Sequence, residues 1–280
     1  MRIQHNIMAM SAYRNYTNNV AAMKKNLEKL SSGYKINRAG DDAAGLAVSE
    51  KMRAQISALE GAQKNTKDGI SFIQTAEGAL QEVSDMLNRM YYLTEQAANG
   101  IYESVDCKNL NMEVTELKNE IKRIGESANF NNRKLFTAAG MLAGTFKFAI
   151  DDLGGNANGF LTLTGFKIST LTTNALGITS VKISTTDATF ATHMSNIKDA
   201  INKVAAVRGK LGAYQNRLEH TYNNLGVVRE NMQDAESVVR DTDVAEEMMK
   251  FTKNSILNQS AQAMLAQANQ VPQGVLQLLG

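Results

Sequence analysis

The sequence has few of the residues on which disulfides, metal sites and helix interruptions depend. Among 280 residues there are one proline, no tryptophan, one cysteine and three histidines. Because proline is the strongest helix breaker, its scarcity permits long uninterrupted helices. One cysteine excludes a disulfide or a cysteine-based zinc site within one chain, and three scattered histidines argue against a histidine-rich metal site.

Charge and hydropathy argue against nucleic-acid and membrane binding. The 30 basic and 28 acidic side chains leave a net charge of +2, whereas nucleic-acid-binding domains are usually strongly basic. The first eight residues lack the apolar stretch of a secretory signal peptide. The longest uncharged run, 254–280, carries six glutamines and three asparagines, whose amides would lack partners in a bilayer. We predict neither nucleic-acid binding nor membrane insertion.

Apolar residues recur every seven positions over long stretches on both sides of the middle. The rows are Ile73, Leu80, Leu87 and Thr94; Ala76, Val83, Met90 and Ala97; Leu110, Leu117 and Ile124; Val114, Ile121 and Ala128; Ile197, Val204, Leu211, Leu218, Leu225, Met232 and Val239; and Ala200, Val207, Tyr214, Thr221, Val228 and Ala235. A repeat of 3.5 residues sustained this long predicts helices that pack as in a coiled coil.

Capping signals set the expected helix bounds. Asp41 and Asp42 can cap a helix that runs to about Gln96. At 1.5 Å per residue its roughly 55 residues span about 80 Å, so we expect an elongated rod. Further helices are predicted over 105–128 and 195–236.

The middle of the chain differs in composition. Residues 141–190 hold ten threonines, six glycines and only six charged residues. A strand over 146–150 precedes a turn-forming run over 151–156, which predicts a small β-hairpin region. The fold class is therefore mainly α, a rod of long heptad-packed helices with this hairpin region in the middle.

Both ends of the chain carry apolar stripes that need a partner. The rows at the start are Tyr13, Val20 and Leu27, and Tyr16, Met23 and Leu30; the weaker stripe at the end is Met248, Thr252, Ile256, Gln259, Ala263 and Leu265. The two ends can pair with each other, but such a pair leaves most of each apolar face in water. We expect the ends to be disordered alone and to fold on association.

No catalytic motif is present. The sequence lacks G-x-x-x-x-G-K-[ST], G-x-G-x-x-G, G-x-S-x-G and H-E-x-x-H. The acidic pairs 41–42, 151–152 and 246–247 are interpreted as a helix cap, a turn and a solvated helix face, and Cys107 as an exposed thiol. We predict no enzyme activity, no catalytic or metal-binding residues and no cofactor.

Several long motifs resemble bacterial flagellin. They are LEKLSSGYKINRAGDDAAGLA over 27–47, GISFIQTAEGAL over 69–80, QAANG over 96–100, LGAYQNRL over 211–218 and QANQVP over 267–272. The resemblance covers about 1–140 and 190–280. The short middle resembles a flagellin that lacks the large variable outer domains.

The resemblance implies a subunit that polymerises into the extracellular bacterial flagellar filament for motility. Residues 1–40 with 240–280 would form the inner domain, whose helices pair as a coiled coil in the filament. Residues 41–140 with 191–239 would form the long-helix domain, and 141–190 the central segment. Flagellins leave the cell unfolded by the flagellar type III route, so the implied partners are other copies of the chain, an export chaperone on the C-terminal segment, and the filament cap and hook-junction proteins.

The resemblance and the end stripes together assign filament-assembly residues. They are Ile3, Ile7, Tyr13, Val20, Leu27, Leu30, Lys35, Arg38, Asp41, Asp42, Met248, Ile256, Leu265, Leu276 and Leu279. Residues 33–40 would link the two domains. Within this linker, Lys35 and Arg38 are expected to bind Asp41, Asp42 or an acid of a neighbouring subunit.

Flagellins are also ligands of an animal Toll-like receptor. The receptor-facing motif of the family reads Leu-Gln-Arg-x-Arg-Glu-Leu, and residues 87–93 here read LNRMYYL. The resemblance assigns Asn88, Arg89, Leu93 and Glu113 to the receptor-facing surface. Because Arg89 and Leu93 lie off the heptad rows, we expect both to be accessible. Asn88, Tyr91 and Tyr92 depart from the family pattern, and Cys107 stands where the family commonly has an arginine.

Three alternatives to the filament subunit stay open. A hook–filament junction protein of the same superfamily shares the terminal helices. Some flagellins carry a peptidase in the middle, but residues 141–190 contain no histidine and no glutamate to pair as metal ligand and base. A surface adhesin or immune ligand is compatible with the filament role.

Overall fold

The computed structural model describes residues 6–99, 101–136, 146–150, 160–163, 176–183 and 190–279. Five long helices dominate this part of the chain. They are α1 (Ile7–Ser32), α2 (Ala43–Ala97), α3 (Ser104–Ser127), α4 (Phe190–Arg240) and α5 (Val244–Leu279). The prediction of a mainly α fold is confirmed, and the predicted bounds of α2 and α3 lie within one residue or two of those observed.

Among the described residues, the strands form two antiparallel hairpins. Strands β3 (Phe146–Ala149) and β4 (Phe160–Leu163) pair with Phe148 opposite Leu161, which confirms the predicted strand; its turn-forming run lies outside the described residues. Strands β1 (Asn129–Phe130) and β2 (Arg133–Lys134) were not expected. Asn131 and Asn132 join them with φ of 50° and 62°, the left-handed conformation that asparagine tolerates best after glycine.

Contacts divide the chain into two compact units. Unit 1 comprises the described residues of Met1–Ile56 and Glu230–Gly280, and unit 2 comprises those of Ser57–Arg229. The three-part division that the sequence suggests stays a prediction.

The heptad rows form the core of unit 2. Both rows of α2 are buried from Ile73 to Ala97, and α4 buries its row from Ile197 to Leu225. Phe72 stands edge to face with Phe130 at 5.7 Å and with Phe148 at 6.0 Å between ring centroids. These aromatic contacts join both hairpins to the helical core. The prediction of heptad packing is confirmed.

In unit 1, α1 packs along α5 in antiparallel fashion. The Asn6 side-chain amide donates to the Ala268 carbonyl at 2.7 Å, and the Gln262 amide lies 3.4 Å from the Tyr16 hydroxyl. At the other end of the pair, buried Asn26 lies beside Glu247. The expectation that these ends are disordered alone differs from the structure, in which both are helical and each supplies the partner of the other.

Candidate functional site

The α1–α5 pair leaves two members of one heptad row of α1 exposed. Tyr16, Met23 and Leu30 are partly buried against α5, whereas Tyr13 and Leu27 are exposed. A single partner helix covers only a narrow stripe, so one row faces inward and much of the other stays in water. The expectation that pairing leaves apolar faces exposed is confirmed.

The exposed apolar side chains continue along both helices. They are Ile7, Met8, Met10, Tyr13 and Leu27 on α1, and Val244, Met248, Met249, Ile256, Leu257, Met264 and Val271 on α5. We name these twelve side chains the terminal apolar face. Apolar exposure this dense on two neighbouring helices is typical of a surface that another chain covers.

The segment from Gly33 to Asp42 follows α1 directly. Gly33 ends α1 with φ of 76°, and its N–H donates to the Lys29 carbonyl at 2.8 Å, so the left-handed conformation of a helix stop falls on a glycine. The Thr242 N–H donates to the Gly33 carbonyl at 2.9 Å, and the Lys35 N–H to the Arg240 carbonyl at 2.7 Å. These bonds attach the segment to the chain between α4 and α5.

Asp41 organises the second half of this segment. Its carboxylate receives the Lys25 ammonium at 2.7 Å and the N–H groups of Asn37 and Arg38 at 3.3 and 3.2 Å. Lys25 and then the backbone donors lower the pKa of Asp41 to about 2.

The charged partners within this segment differ from those expected. The Arg38 guanidinium bonds Glu28 at 2.9 Å rather than Asp41 or Asp42, and the Lys35 side chain is exposed. Asp42 caps α2, since its Oδ1 accepts from the N–H groups of Ala44 and Gly45 at 3.1 and 3.0 Å. This confirms the interpretation of the 41–42 pair as a helix cap for Asp42, while Asp41 serves the turn.

Arg240 ends α4 at the centre of a polar cluster. Its guanidinium bonds Glu50 at 2.9 Å and the Ser49 hydroxyl at 3.3 Å, and it lies 4.7 Å above the Tyr34 ring. Only 14% of the Arg240 side chain is exposed. The buried Ser49 hydroxyl donates in turn to Glu236 at 2.9 Å. No sequence motif predicts this cluster, because its members come from three separated parts of the chain.

The receptor-facing candidates lie on α2 and α3 in unit 2. Arg89 and Glu113 form an exposed ion pair at 2.7 Å, and Asn88 beside them is exposed. The Glu113 carboxylate raises the pKa of the Arg89 guanidinium. Tyr92 lies 5.6 Å from the guanidinium, within cation–π distance.

The expectation that Leu93 is accessible is wrong. Leu93 is 1% exposed and belongs to the core of unit 2. It lies three residues after Met90 and four before Ala97, so it widens the buried stripe of α2. A helix with neighbours on more than one side buries more than the two heptad rows.

Two other expectations about individual residues are also wrong. Cys107 is buried rather than exposed, because it extends the apolar stripe of α3 one turn before Leu110. Glu247 is 4% exposed rather than solvated, because it faces α1. Glu246, its neighbour, lies in water and pairs with Lys250 at 2.8 Å. The acidic pair 151–152 lies outside the described residues.

No described group of side chains has the composition of a metal site. His193 is buried, its pKa lowered first by that burial and then by Lys118, while His220 is exposed. Within the described part of the chain, no helix has both the length and the apolar content required to cross a bilayer.

The family of the chain follows from its two helical ends. The family model of the bacterial flagellin N-terminal helical region matches residues 3–140, and that of the C-terminal helical region matches residues 194–279. The chain belongs to the bacterial flagellin family. It is 46% identical over 303 residues to flagellin from Bacillus subtilis (strain 168), with all of both chains covered.

A further relative agrees with this assignment, and one solved structure shares the fold. The chain is 45% identical over 291 residues to the flagellar filament 33 kDa core protein of Treponema phagedenis, again over all of both chains. The structure of a putative flagellar hook-associated protein from Vibrio parahaemolyticus has a TM-score of 0.57 and 13% identity, covering 71% of this chain and 99% of that chain. That likeness concerns the fold alone.

As a flagellin, the chain is a structural subunit of the extracellular flagellar filament, and it self-associates. Flagellin is a structural protein rather than an enzyme, and it serves motility. The heptad rows and the terminal apolar face both lie within the two matched helical regions, 3–140 and 194–279.

Proposed function

We propose that this flagellin polymerises through the terminal apolar face. One observation carries the proposal. Helices α1 and α5 each cover only part of the apolar surface of the other, and twelve large apolar side chains stay exposed. Neighbouring subunits would remove this surface from water at about 25 cal/mol per Å² of apolar area. A contact between different patches of two subunits does not close on itself and therefore propagates as a filament.

The assembly residues assigned from the sequence fall into groups within this proposal. Ile7, Tyr13, Leu27, Met248 and Ile256 are exposed and would contact neighbouring subunits. Val20, Leu30 and Leu265 are partly buried and would hold the helix pair together. Ile3 lies outside the described residues, as do the side chains of Leu276 and Leu279, so the resemblance alone supports their assignment.

The residues of the 33–42 segment would divide in the same way. Arg38 and Asp41 form ion pairs within the chain and would set the shape of the segment. The exposed side chain of Lys35 is the one that remains to reach an acid of a neighbouring subunit.

Seeded growth observed by electron microscopy tests the proposal. Full-length protein should form long filaments of regular diameter, and protein without residues 1–40 and 241–280 should not. Leu27→Asp and Ile256→Asp each place a charge on the terminal apolar face and should abolish growth. Val105→Asp is the matched control, because Val105 is equally exposed but lies on α3. Growth of the two face variants at the wild-type rate would overturn the proposal.

The same experiment examines the alternative of a hook–filament junction protein. A junction protein would stay soluble and helical yet give short assemblies or none on filament seeds. The full-length coverage of relatives named flagellin and filament core protein supports the filament subunit instead.

Export by the flagellar type III route, unfolded and held by a chaperone, is a further part of the proposal. The exposed apolar side chains of α5 support a chaperone that covers the C-terminal segment before export. Deletion of residues 241–280 should abolish both chaperone binding and export, as measured by co-purification and by the amount of protein in the medium. Wild-type chaperone binding by the truncated protein would contradict this part. The filament cap and hook-junction proteins would be the partners met after export.

A second proposed function is recognition by a host Toll-like receptor at Asn88, Arg89 and Glu113. The exposed Arg89–Glu113 pair on two neighbouring helices supports it. Arg89→Ala should reduce reporter-cell signalling while the circular dichroism of the monomer stays unchanged. Arg123→Ala is the control, since Arg123 forms a similarly exposed pair with Glu120 on α3. Equal signalling by the Arg89 variant and the wild type would eliminate this site.

A further inference from the structure

Methionine is unusually frequent on the terminal apolar face. The sequence has 14 methionines, and six of those described are highly exposed. Five of the six lie on α1 and α5 with 47% to 67% exposure: Met8, Met10, Met248, Met249 and Met264. The sixth, Met112, lies on α3, and Met90 is fully buried in unit 2. Exposed thioethers are therefore concentrated on the surface that polymerisation is proposed to bury.

Two of these methionines share a groove. Met8 on α1 and Met264 on α5 line an open groove of about 670 Å³ between the two helices. Leu257 contributes to the same lining, and the remaining lining residues are small or carry amides. A flexible, polarisable thioether fits the irregular surface of an incoming chain, and in the free subunit the same sulfur is open to solvent.

We propose that the five terminal methionines are sites of reversible oxidation that blocks addition of a subunit to the filament. The inference rests on the proposed assembly through the terminal apolar face. A peroxide is the oxidant class: the thioether sulfur attacks one peroxide oxygen, the O–O bond breaks and an S=O bond forms. Sulfur loses two electrons; with hydrogen peroxide, the departing hydroxide takes the proton of the transferred oxygen and leaves as water. The product is methionine sulfoxide, which methionine sulfoxide reductases return to the thioether.

The consequence follows from polarity. Sulfoxide replaces an apolar group with a strong hydrogen-bond acceptor, and burying that acceptor without a donor is unfavourable. Five such acceptors on one face oppose burial of that face. In the assembled filament the same sulfurs are covered, so oxidation acts on the free subunit and spares the polymer.

Hydrogen peroxide treatment of wild-type protein is the direct test. Monomer and preformed filament receive the same dose, and peptide mass spectrometry measures oxidation at each methionine. We expect rapid oxidation of the five terminal sites in the monomer, protection of those sites in the filament, and no oxidation of Met90 in either. Seeded growth of the treated monomer should fall by about tenfold or more. Treatment with the two methionine sulfoxide reductases, one for each sulfoxide epimer, should restore growth.

Three variants show which methionines cause the loss of growth on oxidation. One variant carries Leu at all five terminal positions, a second carries Met8→Leu and Met264→Leu only, and the control carries Met112→Leu. Each is compared with its own untreated sample, so that a change in basal growth cancels. The loss of growth on oxidation should disappear in the five-site variant, diminish in the groove variant and persist in the Met112 control. If the untreated five-site variant fails to grow, the groove variant and the oxidation measured at each site of the wild type test whether the terminal methionines cause the loss of growth.

The outcomes separate this inference from the assembly proposal. If untreated wild-type protein does not grow on seeds, the assembly proposal fails. If it grows, and monomer oxidised at all five sites grows equally well, the oxidation inference alone is wrong. Equal oxidation of the five sites in filament and monomer would also overturn the inference.

Discussion

The hydrogen-bonding groups around the Asn26 side chain on α1 assign its amide nitrogen to the side of Glu247 on α5; in that orientation it donates a hydrogen bond of 3.0 Å to Oε1 of Glu247, and both residues are buried. The oxygen of the same amide accepts from the Asn254 amide at 3.0 Å and from the Phe251 N–H at 3.3 Å. A satisfied polar group within an apolar helix interface favours one register, because any shift along the helix leaves it unpaired. Asn26 therefore aligns the two terminal helices.

Replacement of this amide should loosen the helix pair. Asn26→Leu removes a hydrogen-bond partner from the buried carboxylate of Glu247 and from the partly buried amide of Asn254, and we expect the free energy of opening α1 to fall by about 1 to 3 kcal/mol. Amide hydrogen exchange along α1 measures it. Thr17→Leu is the control, since Thr17 is exposed on the same helix and does not line the groove between α1 and α5. Equal protection of α1 in the two variants would contradict the alignment role.

The pKa of Asp41 should depend on Lys25. It is lowered from 3.8 to about 2 in the folded chain, with the Lys25 bond as the largest cause. NMR titration of the Asp41 carboxyl carbon should show Lys25→Met raising this pKa toward 3.8, while Lys24→Met, a change at the exposed neighbouring lysine, leaves it near 2. An unchanged titration in the Lys25 variant would assign the shift to the backbone donors alone.

The same pKa has a consequence for stability against pH. A carboxyl group whose folded pKa lies below its unfolded pKa contributes its stabilisation fully above the unfolded pKa, here near 3.8. That contribution declines as the pH falls from about 4 toward 2. Hydrogen exchange of the Asn37 and Arg38 amides should accelerate over this window in the wild type beyond the intrinsic pH effect. Asp41→Asn should remove this excess, and an identical pH profile in both proteins would contradict the prediction.

Leu93 should contribute to stability rather than to recognition. Leu93→Ala removes a fully buried side chain from the core of unit 2 and should lower the free energy of unfolding by about 2 to 5 kcal/mol. Tyr92→Ala, at the exposed neighbouring position, should change it by less than about 1 kcal/mol. Urea unfolding followed by circular dichroism measures both. Similar small losses in both variants would show that the site tolerates a cavity.

Arg240 should hold the 33–42 segment against α2. Arg240→Ala removes the bonds of the guanidinium to Glu50 and Ser49 and its contact with the Tyr34 ring. We expect the free energy of opening the 33–42 segment to fall by about 1 to 3 kcal/mol. Exchange of the Lys35 amide, which donates to the Arg240 carbonyl, reports the loosening. Arg53→Ala is the control, because Arg53 also pairs with Glu50 but is exposed and lies on α2 together with Glu50. Arg240→Lys should restore only part of the protection, since an ammonium lacks the planar fork of donors.

The heptads alone predicted the helices. A seven-residue period over α2, α3 and α4 is a local property of the chain, and the observed helices follow it from Ile73 to Ala97 and from Ile197 to Leu225. The sequence also predicted the helix cap at Asp42, because the N–H groups that it binds lie within three residues of it. The β1–β2 hairpin was missed, although two adjacent asparagines signal a left-handed turn.

Only the tertiary structure decided which side of each stripe meets a partner. Tyr16 and Tyr13 belong to equivalent rows of α1, yet the first is partly buried and the second exposed, because α5 covers a single stripe. Leu93 is buried because α2 has neighbours beyond its heptad seam, and Glu247 because Asn26 faces it from more than 200 residues away. Periodicity along a chain determines that a helix has an apolar face. The width of that face, and the polar partners buried within it, depend on helices that are distant in sequence.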